Sequence, residues 1–203
     1  MVILIIILTA IISIIALNNP LIMDKLRFNA YFIKHNKEWY RFFSYSLVHA
    51  DYIHLFVNMY VLYSFGEIVL TLFKFYFGGK AIIYFLLLYI GGILFSTLVD
   101  FNKNKDNIYY NAVGASGAVS AIVFSSIILY PGGKLFLFFI PIGIPSAIFG
   151  ILYLIYSAYM TKRANDNIGH SAHFWGAIFG VVFTIILKPK FALMFLEQLK
   201  SIF

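Results

Sequence analysis

Long apolar stretches alternate with short polar connections along this chain. A helix needs roughly 20 apolar residues to cross a bilayer, with about 17 to 25 tolerated. On that scale the sequence contains six candidate spans, which cover residues 1–17, 53–73, 81–99, 115–130, 135–159 and 169–187. The spans are apolar all round, whereas the strands of a membrane barrel alternate apolar and polar positions. The pattern predicts an all-α membrane protein, a bundle of six transmembrane helices in a single domain over residues 1–203.

The connection between the first two spans, residues 18–52, is unlike the others. It is too charged to cross a bilayer and too aromatic for a free linker, so we expect it to fold at the membrane interface. The first span has no basic flank before it and no clear small-residue cleavage site after it. We therefore expect it to be retained as a helix and not removed as a signal peptide.

The composition supports a location in lipid. Hydrophobic residues make up 62% of the chain and charged residues 11%, against about 45–50% and about 25% in soluble domains. The chain has no cysteine, which excludes disulfides and thiolate metal sites. The net charge of +7 comes from Lys and Arg beside the spans, where they anchor to lipid head groups, so we expect no nucleic-acid partner. These basic residues are spread over both predicted faces and do not select an orientation.

Two polar side chains with complementary chemistry stand inside the spans. Ser116 opens the fourth span within the run Gly114-Ala115-Ser116-Gly117, and His173 lies about one turn inside the last. A polar side chain at membrane depth faces the protein interior or a wet cavity and is a functional candidate by default. Serine needs a neighbouring base to become a nucleophile, and histidine supplies one near neutral pH. The two residues therefore predict a Ser-His catalytic dyad.

Small residues indicate how the two spans meet. A run of small side chains surrounds Ser116, and the last span carries a stripe at spacings of three and four, comprising Gly169, Ala172, Gly176 and Gly180. Such stripes let membrane helices approach closely. If the two stripes face each other, Ser116 and His173 come within hydrogen-bonding reach. Ordinary helix packing without chemistry is the alternative interpretation of the glycines alone.

Acyl transfer also requires donors for the oxygen that becomes negative in the tetrahedral intermediate. His54 and Asn58 are four residues apart, so on a helix they share one face, and both donate hydrogen bonds. The N–H of Ser116 is a third candidate, because the first turn of a helix has unpaired donors. No Asp or Glu has an obvious place beside His173. The simplest assembly is therefore a Ser-His dyad with an oxyanion hole of backbone and side-chain donors. This chemistry requires no metal and no cofactor.

The arrangement resembles the rhomboid family of intramembrane serine proteases. The resemblance covers roughly residues 38–187 and rests on four motifs in family order, which match Trp39-Tyr40-Arg41, His54 with Asn58, Gly114-Ala115-Ser116-Gly117, and His173 with Gly176 and Gly180. A GxSG motif on its own would be weak evidence for this resemblance. Four motifs in order on a six-span pattern are specific to the family.

The resemblance implies a serine endopeptidase that cleaves transmembrane or membrane-proximal peptide bonds of membrane proteins. Ser116 is then the nucleophile, His173 the base, and His54 and Asn58 stabilise the oxyanion. It further implies cytoplasmic termini, a site that opens outward, a gate at the fifth span, and a location in the inner membrane of a bacterium. The expected partners are transmembrane protein substrates and membrane lipids, and the oligomeric state is left open.

This chain departs from the family pattern in two places, because Tyr40 intervenes in the Trp-Arg motif and the position four after the nucleophile differs from that of some members. Some members carry an aromatic residue four positions after the nucleophile, beneath the catalytic histidine, whereas this chain has Ser120. The aromatic support must then come from another residue, for which Phe174 and Trp175 are candidates.

Two other functions remain as alternatives. A metal transporter or haem-binding protein would use convergent histidines, with His49, His54, His170 and His173 as ligands. Transport sites for cations usually use carboxylates, and the spans hold scarcely any besides Glu67. The sequence therefore disfavours a metal transporter. We expect His49 and His170 to be structural instead. A catalytically silent rhomboid-like protein that binds transmembrane helices is the second alternative, and the presence of the full residue set argues against it.

Overall fold

The computed structural model describes residues 1–136, 143–163 and 169–200. Within these ranges the chain forms ten α-helices, namely α1 (Val2–Leu17), α2 (Pro20–Leu26), α3 (Ala30–His35), α4 (Arg41–Ser44), α5 (Tyr52–Phe77), α6 (Ala81–Asn104), α7 (Ser116–Leu129), α8 (Ser146–Arg163), α9 (His170–Leu187) and α10 (Lys190–Lys200). Short 3₁₀ turns lie at Tyr45–Leu47 and Gly78–Lys80, and two short strands, β1 (Lys134–Phe136) and β2 (Gly143–Pro145), precede α8. The structure is mostly helical, as predicted, and it also contains this pair of short strands.

An aspartate fixes the start of α5. The carboxylate of Asp51, whose backbone is extended, accepts a hydrogen bond from the His54 N–H (2.7 Å). Such a cap satisfies one of the donors that the first turn of a helix leaves unpaired. The helix therefore begins at Tyr52, and His54 and Asn58 lie one turn apart on the same face.

Helix α7 is the centre of the molecule. Every residue from 117 to 129 is buried, and the helix packs mainly against α9, with α5 and α6 on its other sides. Its 14 residues span only about 21 Å at 1.5 Å per residue. A helix wrapped by other helices has little contact with lipid, so its length need not match the bilayer thickness.

Two segments of the described chain are long and apolar enough to cross a bilayer. They are Tyr52–Asn104, which joins α5 to α6, and His170–Leu187, which is α9. The first segment is a hairpin, because a Cβ at Gly66 of α5 would lie 3.5 Å from the ring of Phe85 in α6. α1 and α7 are apolar but shorter, with 16 and 14 residues. The predicted number of six spans is therefore not confirmed.

The fifth predicted span begins later than the hydropathy indicates. We predicted a helix over 135–159, but β1 pairs antiparallel with β2, and α8 begins only at Ser146. Pro145 disfavours helix for the residue before it, which explains why the helix starts directly after the proline. The Ser146 side chain donates to the Pro131 carbonyl (2.9 Å), which ties the start of α8 to the end of α7. Residues 137–142 of the predicted span lie outside the described residues.

The helices define two ends of the bundle. At one end the last turn of α5 meets α10, where the Phe191 ring packs on Tyr76 at 4.8 Å between centroids. At the other end Ser13, near the end of α1, contacts His49 in the segment that leads into α5. The start of α7 lies at this second end, which we call the site end.

Candidate active site

The loop that leads into α7 is held by the segment between α1 and α5. Phe28 and Ala112 form an isolated antiparallel bridge, and the Gly114 N–H donates to the Tyr45 carbonyl (3.0 Å). The Ala115 N–H donates to His49 Nε2 (3.3 Å). These bonds fix the backbone immediately before Ser116. Because α7 begins at Ser116, the N–H of that residue belongs to the first-turn donors without a partner inside the helix.

Gly114 is required for two reasons. Its φ is +113°, in a region that side chains disfavour. A Cβ at this position would also lie 2.7 Å from Cε1 and 2.9 Å from Nε2 of His54, closer than real Cβ contacts allow. The bare backbone therefore lets the His54 ring lie directly against the loop that carries Ser116.

The backbones of α7 and α9 are in direct contact. A Cβ at Gly176 would overlap the Gly117 carbonyl oxygen and lie 3.0 Å from Gly117 Cα, and a Cβ at Gly180 would overlap the Ala121 carbonyl oxygen. Ser116 precedes Gly117 by one residue and His173 precedes Gly176 by about one turn. The backbone contact therefore lies next to Ser116 on α7 and about one turn from His173 on α9. Among the hydrogen bonds of the described residues, none joins Ser116 Oγ to a ring nitrogen of His173.

The accessibility of the site differs from residue to residue. Ser116, His54 and His173 are each partly exposed, whereas Asn58 is buried. One N–H of the Asn58 amide donates to the His54 carbonyl, one turn back on α5 (3.0 Å). An amide nitrogen carries two donors, so a second remains for another acceptor.

The ring against His173 comes from α8. Tyr153 stacks on His173 with centroids 6.3 Å apart and planes inclined by 26°. The Tyr153 hydroxyl shares a hydrogen bond with the Ser120 hydroxyl (3.0 Å). Phe174 and Trp175, the candidates from sequence, pack against each other instead, at 5.3 Å between centroids. The sequence contains no local signal for Tyr153, because the contact depends on how α8 packs.

His49 is buried and makes two hydrogen bonds. Its Nε2 accepts from the Ala115 N–H (3.3 Å), which assigns the proton to Nδ1, and Nδ1–H then donates to Ser13 Oγ (3.1 Å). Burial, followed by the nearby His54, lowers the pKa of His49 to about 3. The ring is therefore neutral near pH 7, which agrees with the structural role expected from the sequence. The contribution of Ser13 was not predicted.

Arg41 organises the segment between α1 and α5. Its guanidinium is buried and donates to the Asp24 and Arg27 carbonyls (2.7 and 2.8 Å) and to the Glu38 carboxylate (2.6 Å). Trp39 is half exposed and does not share this network. Arg41 thus has a structural reason for its place in the sequence motif.

The histidines around the site form pairs and not a metal cage. His49 lies 5.0 Å from His54, and His170 lies 6.1 Å from His173, between ring centroids. Within the described ranges, no group of three or more His, Cys, Asp or Glu side chains is arranged to hold a metal ion. The convergence that a histidine-ligated transporter would need is not found there.

The fold and the site describe a helical membrane protein whose polar groups, Ser116, His54, Asn58 and His173, gather at one end of a buried central helix. Residues 36–190 match the Rhomboid domain, and the chain belongs to the rhomboid family. It is 38% identical over 81 residues to RHOMBOID-like protein 12, mitochondrial, of Arabidopsis thaliana. That alignment covers 39% of this chain and 24% of the relative. The family and the apolar helices together indicate a membrane protein.

Proposed function

We propose that this protein is an intramembrane serine endopeptidase that uses Ser116 and His173 as a dyad. The observation that supports the proposal is the backbone contact between Gly117 and Gly176, because Gly117 follows Ser116 directly and Gly176 lies about one turn after His173. Family membership supports it, because the Rhomboid domain generally indicates this activity. Catalytic hydrogen bonds in enzymes without substrate are often long and tighten on binding. A dyad without a formed bond is therefore compatible with the mechanism.

The proposed reaction follows the usual course of acyl transfer. His173 takes the proton from Ser116 Oγ as this oxygen attacks the scissile carbonyl, and the carbonyl oxygen becomes negative. His173 then gives the proton to the leaving amine, and the peptide bond breaks. The same ring then takes a proton from water as the water oxygen attacks the acyl carbon, and it returns that proton to Ser116 Oγ as the ester bond breaks, which frees the enzyme.

Three donors are placed to hold the oxyanion in this proposal. The Ser116 N–H lies at the open start of α7, and His54 and Asn58 project from one face of α5. The position of the His54 ring against Gly114 supports its participation, since Gly114 is two residues from the nucleophile. Donors fixed in advance stabilise developing charge without reorganisation during the reaction.

The proposed substrates are transmembrane proteins. An intact helix shields its own carbonyls, so a segment that frays near the site end is the part that can be cut. We further propose a multi-pass arrangement with six spans and cytoplasmic termini, in the inner membrane of a bacterium. The relative from Arabidopsis thaliana is named as mitochondrial, which makes an organellar membrane the other location to examine.

The direct experiment is cleavage of a reconstituted transmembrane substrate. The full chain is purified, placed in liposomes with the substrate, and compared with Ser116→Ala and with Ser126→Ala. Ser126 is a matched serine on the same helix, and its hydroxyl donates to the Val123 carbonyl, away from the site. We expect cleavage by the wild type and by Ser126→Ala, and none by Ser116→Ala. Cleavage that persists in Ser116→Ala would contradict the proposed serine protease mechanism. Substrate binding without cleavage by the wild type would favour the catalytically silent protein that binds transmembrane helices.

A further inference from the structure

We propose that Tyr153 of α8 is a positioning residue that holds the His173 ring in the orientation needed for proton transfer. This inference rests on the proposed protease function. It concerns a residue that lies outside the four sequence motifs and on a different helix from both members of the dyad.

The Tyr153 ring lies next to the His173 ring, and the two planes are close to parallel. The two planes are inclined by only 26°, with centroids 6.3 Å apart, which lies within the range of aromatic contacts. His170, one turn before His173, approaches the same ring edge-on, with centroids 6.1 Å apart and planes at 79°. The imidazole is thus bordered on two sides by rings of known orientation.

Tyr153 is itself fixed at both ends of its side chain. Its backbone belongs to α8, and its hydroxyl shares the hydrogen bond with Ser120, which stands one turn after Ser116 on α7. Phe149 and Phe124 pack beside the ring at 5.8 and 5.7 Å between centroids. A ring held in this way cannot easily turn away from His173.

The small side chain of Ser120 completes the arrangement. A serine at this position leaves space for a ring from α8 and supplies a hydroxyl for it to bond. The aromatic face against His173 therefore comes from α8 and not from α7. As a result, the contact between Tyr153 and His173 depends on the packing of α8 against α7 and α9.

Orientation of the base affects the chemical step more than the binding of substrate. Misplacement of a catalytic group by about 1 Å can cost about a hundredfold in rate. A loss that appears in kcat with KM unchanged marks an interaction that acts in the transition state. Removal of the Tyr153 ring should therefore lower kcat and leave KM nearly unchanged.

The experiment compares four variants of the full chain in the liposome assay. Tyr153→Leu removes the ring, and Tyr153→Met fills much of the space with a flexible side chain that has no ring. Tyr153→Phe keeps the ring and loses the hydroxyl. Tyr159→Leu is the matched control on the same helix, because Tyr159 is exposed and its ring contacts Arg163 (4.7 Å). The thermal midpoint of each variant in detergent shows whether it is folded.

We expect Tyr153→Leu and Tyr153→Met to lower kcat by about ten- to a hundredfold with KM changed by less than about twofold. Tyr153→Phe should stay within about threefold of the wild type because it retains the ring. Tyr159→Leu should cleave like the wild type. The inference is overturned if folded Tyr153→Leu or Tyr153→Met cleaves at the wild-type rate. It is also overturned if Tyr153→Phe loses as much kcat as the Leu and Met variants do. Absence of Ser116-dependent cleavage in the wild type would instead overturn the proposed function.

Discussion

His49 links the first helix to the loop that leads to Ser116. Its ring bonds Ser13 of α1 on one side and the Ala115 N–H on the other. The bond from the Ala115 N–H requires the neutral tautomer with the proton on Nδ1, because Nε2 must keep its lone pair to accept. Protonation of His49 would turn this acceptor into a donor facing another donor. The structure of the loop is therefore coupled to the charge of a residue outside the proposed dyad.

This coupling predicts that stability depends on pH. The pKa of His49 is lowered from 6.5 to about 3 by burial and by the neighbouring His54. The unfolded chain therefore binds more protons between these values, so stability is complete above about pH 6.5 and falls as the pH drops toward 3. We expect the thermal midpoint of the wild type in detergent to fall between pH 7 and pH 5, and to fall less in His49→Gln, whose amide does not titrate. Equal falls in both proteins would contradict this account of His49.

Gly114 allows a second prediction at the scale of one residue. Gly114→Ala places a Cβ at φ +113° and against the His54 ring, and a residue held in such a backbone region costs on the order of 1–3 kcal/mol. We expect a lower thermal midpoint and a loss of substrate cleavage. Gly79→Ala is the control, because nothing lies within 4 Å of a Cβ there. A Gly114→Ala protein as stable and active as Gly79→Ala would show that the loop tolerates the side chain.

At the scale of elements, the contact between α7 and α9 determines the geometry of the site. The two helices approach until backbone meets backbone at Gly176 and Gly180. A hydrogen bond from Thr184 to Ser125 (2.8 Å) joins the same two helices further along. Within lipid there is no hydrophobic force between helices, so close packing and polar bonds of this kind hold them together.

A single methyl group should separate these helices. Gly176→Ala adds a Cβ where the Gly117 carbonyl already stands, whereas Gly169→Ala, at the N-cap of the same helix, meets only the Ala172 Cβ at 3.8 Å. We expect Gly176→Ala to lower both the thermal midpoint and the rate of cleavage, and Gly169→Ala to change neither by much. If both variants behave like the wild type, the dyad does not depend on this close approach.

The sequence predicted those features that depend on local pattern. The apolar runs indicated the helices, and the glycine spacing indicated the stripe on α9. The start of α8 at Ser146 was not predictable in this way, because the short apolar run before it is compatible with both a strand and a helix. Tyr153 was missed for another reason, since its contact with His173 arises only from the packing of α8. α10 was missed because it is short and amphipathic, unlike the predicted spans.

At the scale of the whole molecule, the bundle has two chemically different ends. The site end carries the segment between α1 and α5 and the loop before α7. The opposite end carries the turn at Gly78–Lys80 and α10, where Lys188 lies 4.8 Å from the Tyr76 ring. Basic residues occur at both ends, which is why charge alone did not select an orientation.

The two ends should lie on opposite sides of the membrane. The chain has no cysteine, so single-cysteine variants report accessibility without a background. In sealed vesicles we expect a membrane-impermeant thiol reagent to label Lys80→Cys and Lys200→Cys from one side and Lys103→Cys from the other. Labelling of all three from the same side would contradict the proposed multi-pass arrangement.

The activation of Ser116 by His173 is the central claim, and covalent labelling tests it most directly. The folded protein is treated with a serine-reactive fluorophosphonate, and the modified residue is located by mass spectrometry of peptides. We predict an adduct on Ser116, none on Ser120 or Ser126, and loss of the adduct in His173→Ala with the thermal midpoint retained. An unmodified Ser116, or equal modification in His173→Ala, would contradict the claim.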